Sequence, residues 1–231
     1  CFILFFEIKG KYFFNNKRLP GFFTKIEKIL SFYSEFIKKT LTNKELVFIF
    51  QGSIRLLLSL LNLKIIKLDE PYIDKEILYF YPENNTFYPE LEKEFENILD
   101  EENITSMDDF EVKRLIGENP SYICELIRND SIEEFIIYVN RNNISLSGTI
   151  KTSIFETNEF IREHESVSLI CYSAFFGSIQ IFHFLCLNKV ELSSVLWLYA
   201  IHGRNAEIIH LLEEYEVEPY SIMSYNGDDY T

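Results

Sequence analysis

Ser168-Leu-Ile-Cys-Tyr-Ser-Ala-Phe-Phe-Gly-Ser-Ile-Gln-Ile-Phe-His-Phe-Leu185, set above Ser194-Val-Leu-Trp-Leu-Tyr-Ala-Ile-His-Gly-Arg-Asn-Ala-Glu-Ile-Ile-His-Leu-Leu212, shows a chain that repeats itself. Ser168 and Ser194, Ala174 and Ala200, and Gly177 and Gly203 match at a spacing of 26. One residue then slips into the second turn, and His183 and His210, Leu185 and Leu212, and Val190 and Val217 match at 27. A fixed period of this size marks stacked repeats, each a supersecondary unit that buries its apolar face on its neighbours. Each unit reads as helix, tight turn, helix. Ser168 and Ser194 stand where an N-cap hydroxyl would satisfy the first free amides. Ala174 and Ala200 are small enough to let a neighbouring helix approach. Gly177 and Gly203 stand where the turn asks for positive φ.

A fainter copy lies upstream. Ser121-Tyr-Ile-Cys124 precedes Ser168-Leu-Ile-Cys171 by 47 residues, and Asp130-Ser-Ile-Glu-Glu-Phe135 precedes Gly177-Ser-Ile-Gln-Ile-Phe182 by the same distance. That spacing is one unit plus about 20 inserted residues, placed near 145–165 and read as a loop with an extra helical turn.

The layout of Ala-x-x-Gly, a Glu/Gln-Ile step and a Leu-rich second helix resembles the ankyrin repeat. Over residues 117–219 the chain is similar to a lineage-expanded family of divergent protist ankyrin-repeat proteins, which carry a conserved unit of unknown function ahead of the repeats. The resemblance implies an all-α helix–turn–helix solenoid that binds another protein without catalysis or cofactor. It places partner contacts at the end of the first helix and beside the turn: Phe175, Phe176, Ile201, His202, Arg204 and Asn205. Two departures stand out. The Thr-Pro-Leu-His opening is replaced by Ser168-Leu-Ile-Cys171 and Ser194-Val-Leu-Trp197. A period of 26–27 also falls short of the usual 33 or so, so the β-hairpin fingers are expected to be shortened or missing.

Outside the repeats the reading rests on composition and periodicity. The chain of 231 residues is 47% apolar, with 22 Phe and 14 Tyr but only 8 Gly and 6 Pro, which suits helices packed by aromatic rings. Phe22, Ile26, Ile29, Leu30, Phe36 and Ile37 recur at helical steps, predicting an amphipathic helix over 22–41. Thr42 and Glu45 form a capping box. A second apolar helix is expected over 53–68, a short helix from Pro71 to Phe80, a loop at 82–85, and a helix over 89–99 with Leu91, Phe95, Ile98 and Leu99 inward and Glu92, Glu94, Glu96 and Asp100 outward.

The net charge of −14 argues against nucleic acid as partner. It is divided unevenly, +8 over residues 1–67 and −22 over 68–231. Two halves of one solenoid attracting each other account for this; a basic surface for an acidic partner is the alternative. The most apolar stretch, 46–66, is interrupted by Gln51, Arg55, Asn62 and Lys64, so a membrane span is not expected. Cys1, Cys124, Cys171 and Cys186 form no CxxC pair, which points to free thiols and an intracellular, cytoplasmic setting. A zinc site from His164, His183, His202 or His210 with Cys171 or Cys186 lacks a tight ligand pair. Glycine-rich phosphate loops, HExxH and GxSxG are absent from the sequence.

These readings divide the chain into a basic, apolar helical segment (1–68), an acidic helical connector (69–116), degenerate repeats (about 120–144, 167–192 and 193–219 within 117–219) and a truncated, flexible tail (220–231). A start at Cys1 rather than Met suggests that the natural N-terminus lies upstream. The competing readings are an enzyme or metal-binding domain in the N-terminal half, and a structural fragment of a longer repeat array.

Overall fold

A computed structural model of the chain describes residues 22–50, 53–67 and 77–219, with side chains from Lys25 onward. The expected helix from Pro71 falls largely on residues outside these ranges, as does the tail 220–231. Helix dominates. In chain order the elements are α1 (Phe22–Phe32), α2 (Ser34–Thr40), α3 (Asn43–Phe50), α4 (Ile54–Asn62), α5 (Tyr81–Asn84), α6 (Glu92–Glu101, entered through a 3₁₀ turn at Pro89–Leu91), α7 (Met107–Ile116), α8 (Tyr122–Arg128) and α9 (Ile132–Arg141). Then come β1 (Thr149–Lys151), α10 (Glu159–Arg162), β2 (Ser166–Ser168), α11 (Leu169–Phe176), α12 (Ile179–Leu187), α13 (Leu196–Gly203) and α14 (Ala206–Glu214). The contacts divide them into two units: one built from residues up to Asn119 with Ser153–Glu163, the other from Pro120–Thr152 with the residues from His164.

In the first unit the expected helix over 22–41 is broken at Tyr33 into α1 and α2. Ile26, Leu30 and Ile37 reach the core, whereas Ile29 and Phe36 stay exposed. The capping box forms at the start of α3: Thr42 N donates to the Glu45 carboxylate at 2.8 Å, and Glu45 N donates to Thr42 Oγ1 at 3.3 Å. These bonds to Thr42 hold the Glu45 carboxyl below its usual range. α4 buries Ile54, Leu56, Leu57, Leu58 and Leu60. The expected loop at 82–85 instead opens as a helical turn, because Pro82 occupies the first turn of α5, where its missing N–H costs nothing. α6 matches its sequence pattern, with Phe95 buried and Glu92, Glu94, Glu96 and Asp100 exposed.

Beside the mainly aliphatic core of residues 26–80, a chain of rings forms a second cluster in this unit. Tyr81 meets Phe95 at 4.6 Å between centroids, Phe95 meets Phe110 at 5.3 Å, and Phe110 meets Phe155 at 5.2 Å. The last two pairs are edge-on, the arrangement favoured by the ring quadrupoles. Phe155 arrives on the segment inserted between β1 and β2. That segment is fixed by Thr157, whose Oγ1 donates to Gly117 O at 2.8 Å, and by the fully buried Glu156, which accepts the amides of Asn158 and Asn119 at 2.9 and 3.4 Å.

Beside the rings, Arg114 is 2% exposed and donates to Glu83 at 2.6 Å, to Glu111 at 2.7 Å and to Tyr79 O at 3.1 Å. A guanidinium this deep persists only when paired. Its plane also approaches the rings of Tyr79 and Phe110.

The second unit holds three helix pairs, α8–α9, α11–α12 and α13–α14. The first helix of the middle pair packs on both its equivalents, α8 and α13, and the second packs on α9 and α14. Ala174 and Ala200 are wholly buried, as close approach between α11 and α13 requires. Ser168 caps α11, accepting Cys171 N at 3.2 Å.

Three expectations need correction here. Ser194 is not a capping hydroxyl: α13 begins after Val195, without a side-chain cap. Gly177 does have positive φ (65°), but Gly203 is the last residue of α13, and Arg204 takes the left-handed position at φ 51°. Gly203 is needed for space instead. A Cβ there would lie 2.5 Å from Phe175 O and 2.7 Å from Ala174 O. Lastly, the insertion near 145–165 is more than a loop and a helical turn. β1 and β2 pair antiparallel, with the buried Ile150 opposite the buried Val167.

Helix ends are built alike in both units. Ile65, Ile104, Ile144, Val190 and Val217 each donate a backbone N–H to the carbonyl five residues earlier, that of Leu60, Leu99, Val139, Leu185 and Leu212, at 2.7–3.2 Å. The residue between helix and donor is left-handed in every case: Lys64, Asn103, Asn143, Lys189 and Glu216. This is the Schellman ending, with an apolar residue closing back on the last turn.

Candidate partner-binding surface

The turns joining the two helices of each pair form a connected edge within the second unit. Asp130, Gly177 and Arg204 hold equivalent left-handed positions. Side chains from these turns tie one pair to the next. The Asp130 carboxylate accepts the amides of Gln180 and Ile181 at 3.1 and 3.0 Å, capping the start of α12 from the preceding pair. Ser178 Oγ donates to Ile127 O. Asn205 Oδ1 accepts the amides of Glu207 and Ile208 at the start of α14, and its Nδ2 donates to Gly177 O at 3.2 Å. The Asp130 bonds satisfy amides at the start of α12 that the α11–α12 pair alone would leave to water, while Asn205 caps its own helix and reaches the preceding turn through Nδ2.

The six residues expected to contact a partner separate in the structure. Phe175 is buried at 6% exposure, and Phe176 is half-buried against the rings of Tyr172 and Phe175. Asn205 is half-buried and committed through both amide atoms. Ile201, His202 and Arg204 are exposed together at the end of α13, with Ile201 at 57%. The physical reason is position: Phe175 and Ile201 occupy the same column of the repeat, but α11 is flanked by α8 and α13, while α13 packs on α11 and α14. The fold therefore brings three of the six to solvent as one group and uses the other three in packing and capping.

Sequence reading overlooked two exposed apolar residues on the second helices, Ile137 on α9 (65% exposed) and Leu187 on α12 (67%). The signal was available: both fall outside the inward stripes Phe135–Val139 and Ile181–Phe182–Leu185.

The histidines and cysteines offer no convergent set among the described residues. His183, His202 and His210 are exposed, and His210 Nδ1 lies 3.1 Å from Glu213. Cys124 and Cys171 are buried, and Cys186 is half-buried. Burial pushes the Cys171 thiol up and that of Cys186 to about 11, so both stay protonated at neutral pH and react poorly. Among the described residues no three His, Cys, Asp or Glu side chains converge as metal ligands. No helix among them is long and apolar enough to cross a membrane. Comparison of the chain with family models, with curated proteins and with solved structures finds no match.

Proposed function

We propose that residues 120–152 and 164–219 are an ankyrin-like stack of shortened repeats acting as a non-catalytic, protein-binding scaffold. The observation that carries the reading is the equivalence of the three helix pairs: α11 lies between its counterparts, and turn residues of one pair cap or close the next. Such an array presents a row of first-helix ends and turns, the surface that repeat proteins use for partners. Ile201, His202 and Arg204 supply an apolar contact, a polar contact and a cation at the end of that row. Exposed Arg beside an apolar residue is a composition favoured at interfaces. The protonated, largely buried thiols fit a reducing compartment.

The test is partner capture with the whole chain. A purified partner recovered by the parent should lose about tenfold or more in affinity to the Ile201→Ser/His202→Ser/Arg204→Ser variant, an effect expected of a small hot-spot cluster. The helical circular dichroism spectrum should be unchanged. Unaltered affinity would move the contact off this edge.

A further inference from the structure

α1 and α2 carry two apolar stripes, and the fold covers one of them. At about 100° per residue, Ile26, Leu30 and Ile37 share one narrow sector, and they are 5%, 1% and 3% exposed. Ile29, Phe32, Tyr33 and Phe36 follow the i, i+3, i+4, i+7 rule along the neighbouring sector, and are 41%, 82%, 47% and 55% exposed. The break at Tyr33 does not lose the phase, since Tyr33 N donates to Ile29 O at 3.0 Å and Ile37 N to Tyr33 O at 2.9 Å. The rings of Phe32 and Tyr33 touch edge-on at 4.9 Å, so the stripe is continuous across the break.

The charge along this stripe is mainly positive. Lys25 falls within its sector, and Lys28 and Lys39 fall along its margin. All three are exposed. The exposed carboxylate on these helices, that of Glu35, is paired with Lys38 at 3.2 Å. Glu27 is half-buried and accepts a hydrogen bond from Ser59 Oγ at 3.0 Å.

We propose that this face of α1 and α2 docks on the surface of an anionic lipid bilayer. A convex helix face with projecting aromatic rings and a lysine margin has the chemistry of an interfacial helix: the rings enter the headgroup–acyl boundary and the lysines reach anionic headgroups. The charge disfavours a second copy of the chain, because a two-fold contact through this stripe would set the lysines of one copy against those of the other. The stripe disfavours nucleic acid, whose affinity comes from cations on phosphates and leaves Ile29, Phe32 and Phe36 without a role.

The experiment is sedimentation of the whole chain with phosphatidylcholine vesicles, with and without phosphatidylserine. Binding is expected on the phosphatidylserine vesicles, falling about tenfold or more in Phe32→Ser/Phe36→Ser and likewise in Lys25→Gln/Lys28→Gln/Lys39→Gln. A Phe32→Trp chain should be quenched by brominated phosphatidylserine beyond the parent, in which Trp197 is the reference. This reads insertion without removing a ring. Absence of vesicle binding overturns the proposal. So does binding that depends on the lysines but not on the rings, which marks general polyanion adhesion. A dimer in analytical ultracentrifugation that Phe32→Ser/Phe36→Ser dissolves also overturns it, since a second copy would then cover the face.

Discussion

Around Phe110 and between α11 and α13, the same chain solves packing in opposite ways. At Phe110 the space is filled by large groups: four aromatic rings in sequence, with the Arg114 guanidinium alongside. At the α11–α13 contact the space is removed, and helices meet through Ala174, Ala200 and Gly203, almost backbone to backbone. The first arrangement suffers when atoms are lost, because a ring leaves a cavity that its neighbours fill only in part. The second suffers when atoms are added, because no side chain stands between the helices to move aside. Stability in one region is therefore a matter of volume, and in the other of clearance.

The largest effect should come from emptying the ring chain. Phe110 has no exposed surface and touches a ring on either side, so Phe110→Ala is expected to cost about 4 kcal/mol. Urea unfolding measures it. A loss below about 1 kcal/mol would mean that the rings are loosely packed.

Adding one carbon to the second region comes next. Gly203→Ala forces Cβ against two backbone carbonyls and should cost about 3 kcal/mol. Gly177→Ala, strained by its φ of 65°, should cost about 1 kcal/mol. Equal losses would remove the distinction between a clearance glycine and a turn glycine.

The bridging cap should match the turn glycine in size. Asp130→Ala leaves the amides of Gln180 and Ile181, each held by its own carboxylate oxygen, without an acceptor and should cost about 1 kcal/mol, whereas Asp130→Asn keeps an acceptor for one of the two and should cost about half as much. Thermal melts of the two variants make the comparison; identical melting would deny the cap a role.

How much of this was readable in advance depended on the range of the interaction. Some local signals held, although the Ser194 cap and the loop at 82–85 did not. The Thr42–Glu45 capping box, the Ser168 cap and the inward face of α6 follow from neighbouring residues alone. The matching glycines misled because identity is not conformation. Left-handed Gly177 corresponds to Arg204, 27 residues on, so the extra residue of the second repeat enters before the turn. Five Schellman endings were also present as Leu or Val followed five residues later by Ile or Val. They were missed because their left-handed residues are Lys, Asn and Glu rather than Gly.

The β1–β2 ribbon and the delivery of Phe155 to Phe110 join residues 15 or more apart in sequence, and no local pattern encodes them. The candidate surface divides in the same way. Sequence placed Phe175 and Ile201 in one column. Which of them is buried depends on how many helices flank each, a tertiary fact.

The stack itself is tested most directly by native-state hydrogen exchange on the whole chain, with and without Gly203→Ala. In a nearest-neighbour array the middle pair gains from both sides. The amides of α11 and α12 should therefore exchange more slowly than those of α13 and α14, and Gly203→Ala should speed exchange in all four helices. Protection of α11 and α12 that ignores Gly203→Ala, or that is no greater than in α13 and α14, would contradict the account.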